Sequence, residues 1–515
     1  MSYEFKTKPF AFQFDIWDKT KDEKVHALFM EQGTGKTKTS LDTVGWLHYK
    51  KKVDNLLVVA PSGVHHNWVT DETPKHLPDF IGRKAVSYQT NRANTRLQKD
   101  AVDDLMRYKK GLSILSMSYD AFVTPAGKKV VWDFMKKQKL MHILDESTRI
   151  KNPKAVRTKA IMKSGAYSDY RRILSGTPVA NGPFDVWAPL NFLSPEFWEK
   201  NRLSNFYVFK NYFGHIVKKK SNLGHEFDFV AGYRNLHILH DMLLPISSRV
   251  TKAEVLKDLP PKLYSTRYFE MSPEQEKIYK QIEDECMIML EGKVLTMELA
   301  LTRLLRLQQV TCGYLPRPDA GPEDQPYITL PGKQVRLNTL LDITSDITTQ
   351  GIIWARFTKD IDNICDMLNS EGNGGAVRYD GTQNEDQRKA ALENFRSQKA
   401  QWFVGNASVG GEGLTLTEAK VVIYYNNSFK FIERSQSEDR AHRIGQDSAV
   451  SYIDLAAIGT VDEDIVRALI KKMEIANIIT GDSKKEWVAS PDDIGSDNFE
   501  LHAEAINDVL SVFNG

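Results

Sequence analysis

Gln32-Gly33-Thr34-Gly35-Lys36-Thr37 is the stretch on which the reading of this chain turns. Its glycines let backbone N–H groups turn towards an anion, and a helix starting behind them adds its positive end. Apolar residues at Leu41, Val44 and Leu47 give the segment from Thr37 to Leu47 a helical period. Gln32, Gly33, Thr34 and Gly35 then form a phosphate cradle. Lys36 reaches the β- and γ-phosphates of ATP, and Thr37 offers its hydroxyl to Mg2+. The strict form of such a loop has a glycine where this chain has Met30. The plain alternative is a glycine turn before an ordinary helix.

Outward from that loop the chain alternates strand and helix. Leu56–Ala60, Ser113–Ser116, Met141–Leu144 and Arg172–Leu174 are short apolar runs that end in polar or glycine-bearing turns. Such runs suit buried parallel strands that carry function at their carboxyl ends. The pattern restarts at Gly351–Trp354, Trp402–Val404 and Val421–Tyr425. Between the two halves, prolines punctuate the chain, and Glu274–Leu290 and Glu298–Val310 read as helices, the first with Ile278, Ile282, Cys286 and Met289 on one face. Asp319–Pro326 reads as a polar loop and Leu501–Phe513 as a terminal helix. The fold class is α/β: two parallel-sheet lobes with helical insertions between them. The expected division is 1–195 for the first lobe, 196–335 for helical insertions and linker, 336–480 for the second lobe and 481–515 for an acidic tail.

Composition excludes several classes. With 515 residues, 41% hydrophobic and 26% charged, the chain has globular composition. No apolar run approaches the roughly 20 residues of a membrane helix, and the first residues lack the apolar segment of a secretory signal. The net charge of +2 is too small to argue for nucleic acid, so any basic groove must come from charge distribution. The 3 cysteines, Cys286, Cys312 and Cys365, are far apart, which excludes a disulfide framework and a Cys-rich zinc module.

Two further clusters carry chemistry. Asp145-Glu146 follows an apolar run, where Asp145 can hold Mg2+ and Glu146 can polarise an attacking water. Alone the pair is a common helix cap; behind a phosphate loop, in this order, it reads as catalytic. In Gln436-Ser437-Glu438-Asp439-Arg440-Ala441-His442-Arg443, the two arginines are three apart and share a helix face. They can meet a γ-phosphate as arginine fingers do, with Gln436 counted in the same catalytic set, and His442 reads as structural. The plain alternative is a solvated charged face.

At this point the chain resembles the motor of Swi/Snf-type ATPases, within superfamily two helicases, from about Lys8 to Gly481. The specific signatures are Arg440-Ala441-His442-Arg443-Ile444-Gly445-Gln446 and Leu174-Ser175-Gly176-Thr177-Pro178-Val179-Ala180-Asn181. Arg149-Ile150-Lys151-Asn152, Thr251-Lys252-Ala253-Glu254-Val255, Leu259-Pro260-Pro261-Lys262 and Gly410–Thr417 are similar to further family elements. The resemblance implies two RecA-like lobes, ATP and Mg2+ as cofactors, and duplex DNA as partner, branched or forked forms included. It makes Gln13 the adenine reader. It assigns Pro61, Ser62 and Trp68, then Tyr119, to DNA tracking in the first lobe, and Arg356, Ser408 and Thr415 to backbone grip or nucleotide sensing in the second.

Three elements depart from the family: Ser147-Thr148 where a His or Gly-His usually follows the acids, Arg356 where many members have Gln, and Thr415 for a common Asn. The expected function is an ATP-driven duplex-DNA translocase, a monomer free of membrane and zinc, in the cytoplasm of a bacterium or of a virus-infected cell, with its protein partners unknown. The alternatives are a strand-separating DNA or RNA helicase and a non-catalytic nucleic-acid-binding scaffold.

Overall fold

Fully buried parallel strands read as unbroken apolar runs because helices cover both faces of their sheet, and this pattern appears twice. The computed structural model describes residues 3–220, 226–291, 297–317, 319, 325–332, 334–370, 375–409 and 414–482. They divide into two units. The first takes in Met1–Gly214, Tyr233–Lys257 and Ile475–Ser483, and the second His215–Gly232 and Asp258–Glu474.

In the first unit β1 (Val25–Met30), β2 (Asn55–Ala60), β3 (Arg83–Tyr88), β4 (Leu112–Ser118), β5 (Leu140–Leu144) and β6 (Tyr170–Leu174) come in sequence. Next in the chain comes a two-stranded ribbon, β7 (Gly214–Lys220) with β8 (Glu226–Tyr233), which falls in the second unit apart from its end residues, and the first unit resumes with β9 (Ser247–Val250). The sheet order is β3-β4-β2-β5-β6-β1-β9, with every pairing parallel. All four runs expected as strands are strands, and each is buried. The expected helix runs from Lys36 to Tyr49, and its Leu41, Val44 and Leu47 pack in one core with Met30, Leu56, Val58 and Ile143. That packing fixes the helix N-terminus at the carboxyl end of β1.

The second unit holds β10 (Lys262–Phe269), the antiparallel pair β11 (Tyr314–Pro316) and β12 (Tyr327–Thr329), then β13 (Gly351–Trp354), β14 (Ala376–Tyr379), β15 (Trp402–Gly405), β16 (Val421–Tyr424) and β17 (Val450–Ala457). Its main sheet is also wholly parallel, ordered β10-β17-β16-β13-β15-β14.

The stretch 196–335 differs from the expected helical insertion. It contributes β9 to the first sheet and β10 to the second, besides the ribbon. β10 alternates polar and apolar residues and β9 is short and polar, so neither shows a buried-strand run. The two helices expected there run Pro273–Glu291 and Met297–Thr311. Ile278 and Ile282 pack beside Tyr279, Leu307, Val310 and Ile465. The side chains of Cys286 and Met289, most of the Asp319–Pro326 loop and the Leu501–Phe513 helix lie outside the described residues. Among the described residues no helix is long and apolar enough to cross a membrane, and no cluster of His, Cys, Asp and Glu could hold a metal ion by itself.

Candidate nucleotide and nucleic-acid sites

In parallel α/β sheets ligands meet the carboxyl ends of the strands, and the first unit gathers its chemistry there. The loop after β1 turns through Gly33 and Gly35, at φ 84° and 92°. Only glycine adopts such angles without strain. Gly35 caps the helix that opens with Lys36 and Thr37, so unpaired helix N–H groups and the dipole converge on the loop. The Lys36 ammonium donates to the Met30 carbonyl at 3.1 Å.

Gln13 is buried and ties the first helix to this loop. Its Nε2 donates to Thr34 O at 2.8 Å, and its Oε1 accepts from Phe10 N–H at 3.1 Å. A Cβ on Gly35 would stand 2.3 Å from Gln13 Nε2. The loop after β6 also comes close: a Cβ on Gly176 would lie 3.2 Å from the Gln32 main-chain nitrogen and 3.5 Å from Lys36 Nζ.

Asp145 and Glu146 stand at the end of β5. Asp145 Oδ1 accepts from Glu146 N–H at 3.0 Å, and Oδ2 accepts from the Trp68 indole N–H at 2.9 Å. Glu146 is left-handed, at φ 50° and ψ 57°. Such a conformation costs a non-glycine residue about 1–2 kcal/mol and tends to mark functional positions. Gln32 Nε2 donates to Glu146 Oε1 at 3.5 Å, which brings the phosphate loop and the acids together. Glu146 Oε2 is buried without a hydrogen-bond partner among the described residues. Burial raises both carboxyls; Trp68 and Lys36 oppose the rise at Asp145, and Lys36 opposes it at Glu146. The Thr37 hydroxyl and the Asp145 carboxylate are hard oxygen donors of the kind Mg2+ takes, and each Asp145 oxygen, with one hydrogen bond, keeps a lone pair. The residues present fit such an ion.

Of the residues expected to track DNA here, Ser62 is exposed. Pro61, Trp68 and Tyr119 are buried. Trp68 bonds the Asp145 carboxylate, and the Tyr119 hydroxyl donates to Asp145 O at 2.7 Å. Sequence spacing could not distinguish an inward indole from an outward one. Arg249, at the end of β9, was not expected at all. Its guanidinium grips Asp482 through Nε at 2.8 Å and Nη2 at 2.6 Å, and Nη1 reaches the carbonyls of Phe29 and Gly176, each at 3.2 Å.

In the second unit the helix Phe431–Ala441 ends one residue before His442. Arg440 is therefore helical, and Arg443 lies in the turn beyond, where one helix face had been expected. They still converge: Arg440 Nη1 donates to Leu414 O at 3.1 Å, and Arg443 Nη1 donates to Thr415 Oγ1 at 2.8 Å and Leu414 O at 3.3 Å. Gln436 is half-buried on the same helix.

A buried charge network holds that helix. Lys262 bonds Glu438 at 2.9 Å, Tyr264 donates to the same carboxylate at 2.8 Å, and Arg434 pairs with Glu438 and Asp454. Those neighbours hold the Glu438 carboxyl down to about 2, against the upward pull of burial. His442 Nε2 lies 2.7 Å from Pro260 O, and Gln446 donates to the carbonyls of Thr417, Ala419 and Ala441. The Pro-Pro-Lys element and the terminal Gln of the arginine signature thus act as its mounts.

Arg356 follows β13, with its N–H donated to Asn426 Oδ1 at 2.6 Å and its carbonyl accepting from Asn406 at 2.8 Å. Its half-buried guanidinium donates to Gln308 Oε1 at 2.7 Å. Ser408 is exposed and bonds Asn406, while Thr415 is half-buried.

The model of the SNF2-related domain matches residues 16–313, and that of the helicase conserved C-terminal domain matches residues 332–445. The mouse SWI/SNF-related matrix-associated actin-dependent regulator of chromatin subfamily A member 1 is 28% identical over 466 residues, covering 87% of this chain and 41% of the relative. The Arabidopsis thaliana ISWI chromatin-remodeling complex ATPase CHR11 is 26% identical over 457 residues, covering 87% of this chain and 40% of the relative. The chain thus spans about two fifths of the length of these curated relatives. Among solved structures, the Sulfolobus solfataricus SWI2/SNF2 ATPase core in complex with dsDNA aligns over 94% of this chain and 95% of its own, at 22% identity and a TM-score of 0.40. With the SNF2-related model spanning more than half of its residues, and a helicase C-terminal model following it, the chain belongs to the SNF2-related family.

Proposed function

We propose that this protein is an ATP-driven translocase on duplex DNA. The observation that carries the reading is the meeting of the Gly33–Thr37 loop with the Asp145–Glu146 pair through Gln32, at the carboxyl ends of one parallel sheet. The loop N–H groups and Lys36 bind the nucleotide phosphates, and Gln13 and Gln32 hold the loop in shape. Thr37 and Asp145 would hold Mg2+, which supplies positive charge against the phosphate oxygens. Glu146, half-buried and with its carboxyl raised by desolvation, takes the proton of the attacking water. Arg440 and Arg443 supply charge to the transferring phosphoryl group.

Duplex DNA is read through phosphates by exposed residues such as Ser62 and Ser408 and by the Arg356 guanidinium. Backbone reading carries little base information, so binding is salt-sensitive and largely sequence-independent. The relatives' names, chromatin-remodeling ATPases among them, support a motor that displaces or repositions what DNA carries. The test is the ATPase rate with duplex, single-stranded and forked DNA and RNA in parallel. Stimulation by duplex of any sequence is expected. Stimulation by RNA alone, or no turnover with any nucleic acid, refutes the reading.

A further inference from the structure

Asp145 is held from four sides. Its N–H donates to Val59 O at 2.8 Å, the last bond of the β2–β5 register. Its carbonyl accepts the Tyr119 hydroxyl at 2.7 Å, Oδ1 accepts from Glu146 N–H, and Oδ2 accepts the Trp68 indole N–H at 2.9 Å. The strand fixes only the main chain. The carboxylate still has its χ angles to settle, and among the described residues the indole bond is the one long-range hydrogen bond it accepts.

Both donors belong to the segments after β2 and β4. Trp68 is itself locked. It opens a π-helical turn, Trp68–Glu72, and its carbonyl accepts from the buried Thr73 hydroxyl at 2.6 Å. π-turns inside helices gather at functional sites. Ser116 of β4 bonds His65 O at 2.5 Å, and Tyr119 N–H bonds Ala60 O at 3.2 Å, so the two segments form one body. That body runs outward from Asp145 to the exposed Ser62.

We propose that Trp68 and Tyr119 are positioning residues for Asp145 and its divalent cation, Trp68 by orienting the carboxylate and Tyr119 by holding the main-chain carbonyl beneath it, and that they so connect the surface segment after β2 to metal affinity. This rests on the assignment of Asp145 to the cation made above. An N–H donated to a metal-binding carboxylate leaves one lone pair facing the ion and removes rotamers that would have to be frozen on binding. Removing such an outer partner typically costs about 10–100-fold in metal affinity.

The test measures binding of a fluorescent, non-hydrolysable ATP analogue against Mg2+ concentration, without DNA. Trp68→Phe, which deletes the N–H and keeps an aromatic ring, should raise the half-saturating Mg2+ by about tenfold or more. Analogue affinity at saturating Mg2+ should stay within about twofold of wild type. Tyr119→Phe deletes a single oxygen and carries the same test on its own should Trp68→Phe fail to fold; it should raise the midpoint severalfold. Asp145→Asn is the control. If it shifts the midpoint and neither aromatic variant does, Trp68 and Tyr119 merely pack, and the proposal falls while the metal assignment stands. If Asp145→Asn leaves the midpoint unmoved, the metal assignment itself falls. A Trp68→Phe variant that loses affinity for duplex DNA without nucleotide, at an unchanged Mg2+ midpoint, makes Trp68 a DNA contact and overturns the proposal.

Discussion

Asp482→Ala is expected to weaken the first unit by about 2–3 kcal/mol, although the sequence places this residue in a tail. The Arg249–Asp482 pair is bidentate, and the two side chains are only 18% and 7% exposed. Removing one partner of a buried pair costs about 3–5 kcal/mol, because the other charge is left in a poor solvent. Here Arg249 keeps Glu31 at 3.7 Å and is not wholly dry, which lowers the figure to the bottom of that range or just below it. The consequence reaches the phosphate loop. The freed guanidinium also holds the carbonyl of Phe29, in the strand that leads into the loop, and that of Gly176, in the turn after β6. Nucleotide affinity should therefore fall severalfold along with stability. A chain ending at Thr480 should behave like Asp482→Ala. The assay is urea unfolding followed by circular dichroism, run as a double-mutant cycle with Arg249→Met. If Asp482→Ala falls within about 0.5 kcal/mol of wild type, or the cycle shows no coupling, the clasp is ornamental and the reasoning fails.

Glu146→Gln should lower DNA-stimulated ATP turnover by about a hundredfold or more while ATP still binds, and near-normal turnover would remove its role as base. Arg443→Ala should slow hydrolysis on the order of a thousandfold with DNA affinity in the absence of nucleotide unchanged; the reverse pattern would make it a backbone contact. Gly35→Ala should abolish nucleotide binding, since an alanine at φ 92° is strained and its Cβ would meet Gln13 at 2.3 Å; retained binding in equilibrium dialysis refutes the tie between Gln13 and the loop. Burial lowers His26 to about 3, His65 to about 4 and His142 to about 3. The unfolded chain then binds protons that the folded one refuses. Stability is full above the ordinary histidine range near 6.5 and is lost as pH falls towards 4, by up to about 1.4 kcal/mol per pH unit for each histidine. His142, stacked on Phe122 and edge-on to Phe192 with neither ring nitrogen bonded among the described residues, gives the cleanest check. His142→Phe should flatten the acid limb of the melting temperature, and an unchanged limb refutes the account.

The sequence by itself determined the α/β class, the strands whose apolar runs are unbroken, and the identity of the phosphate loop and the acid pair. Each of these depends on local rules: glycine where φ is positive, a helix period of 3.6, a carboxylate just past a buried run. In the two main sheets β1, β3, β9, β10, β14 and β17 escaped because polar residues break their apolar runs, β10 by alternation and β9 by being short and polar. They become strands only because a parallel neighbour offers a hydrogen-bonding edge. The same limit applied to side-chain direction. The family resemblance put Trp68 and Tyr119 near DNA and the charge pattern left Asp482 in a tail, and only the tertiary structure turned the two aromatics onto Asp145 and brought Asp482 to Arg249. The spacing of residues along the chain says which side chains are present, but contacts between positions 77 and 233 residues apart depend on which strands lie side by side.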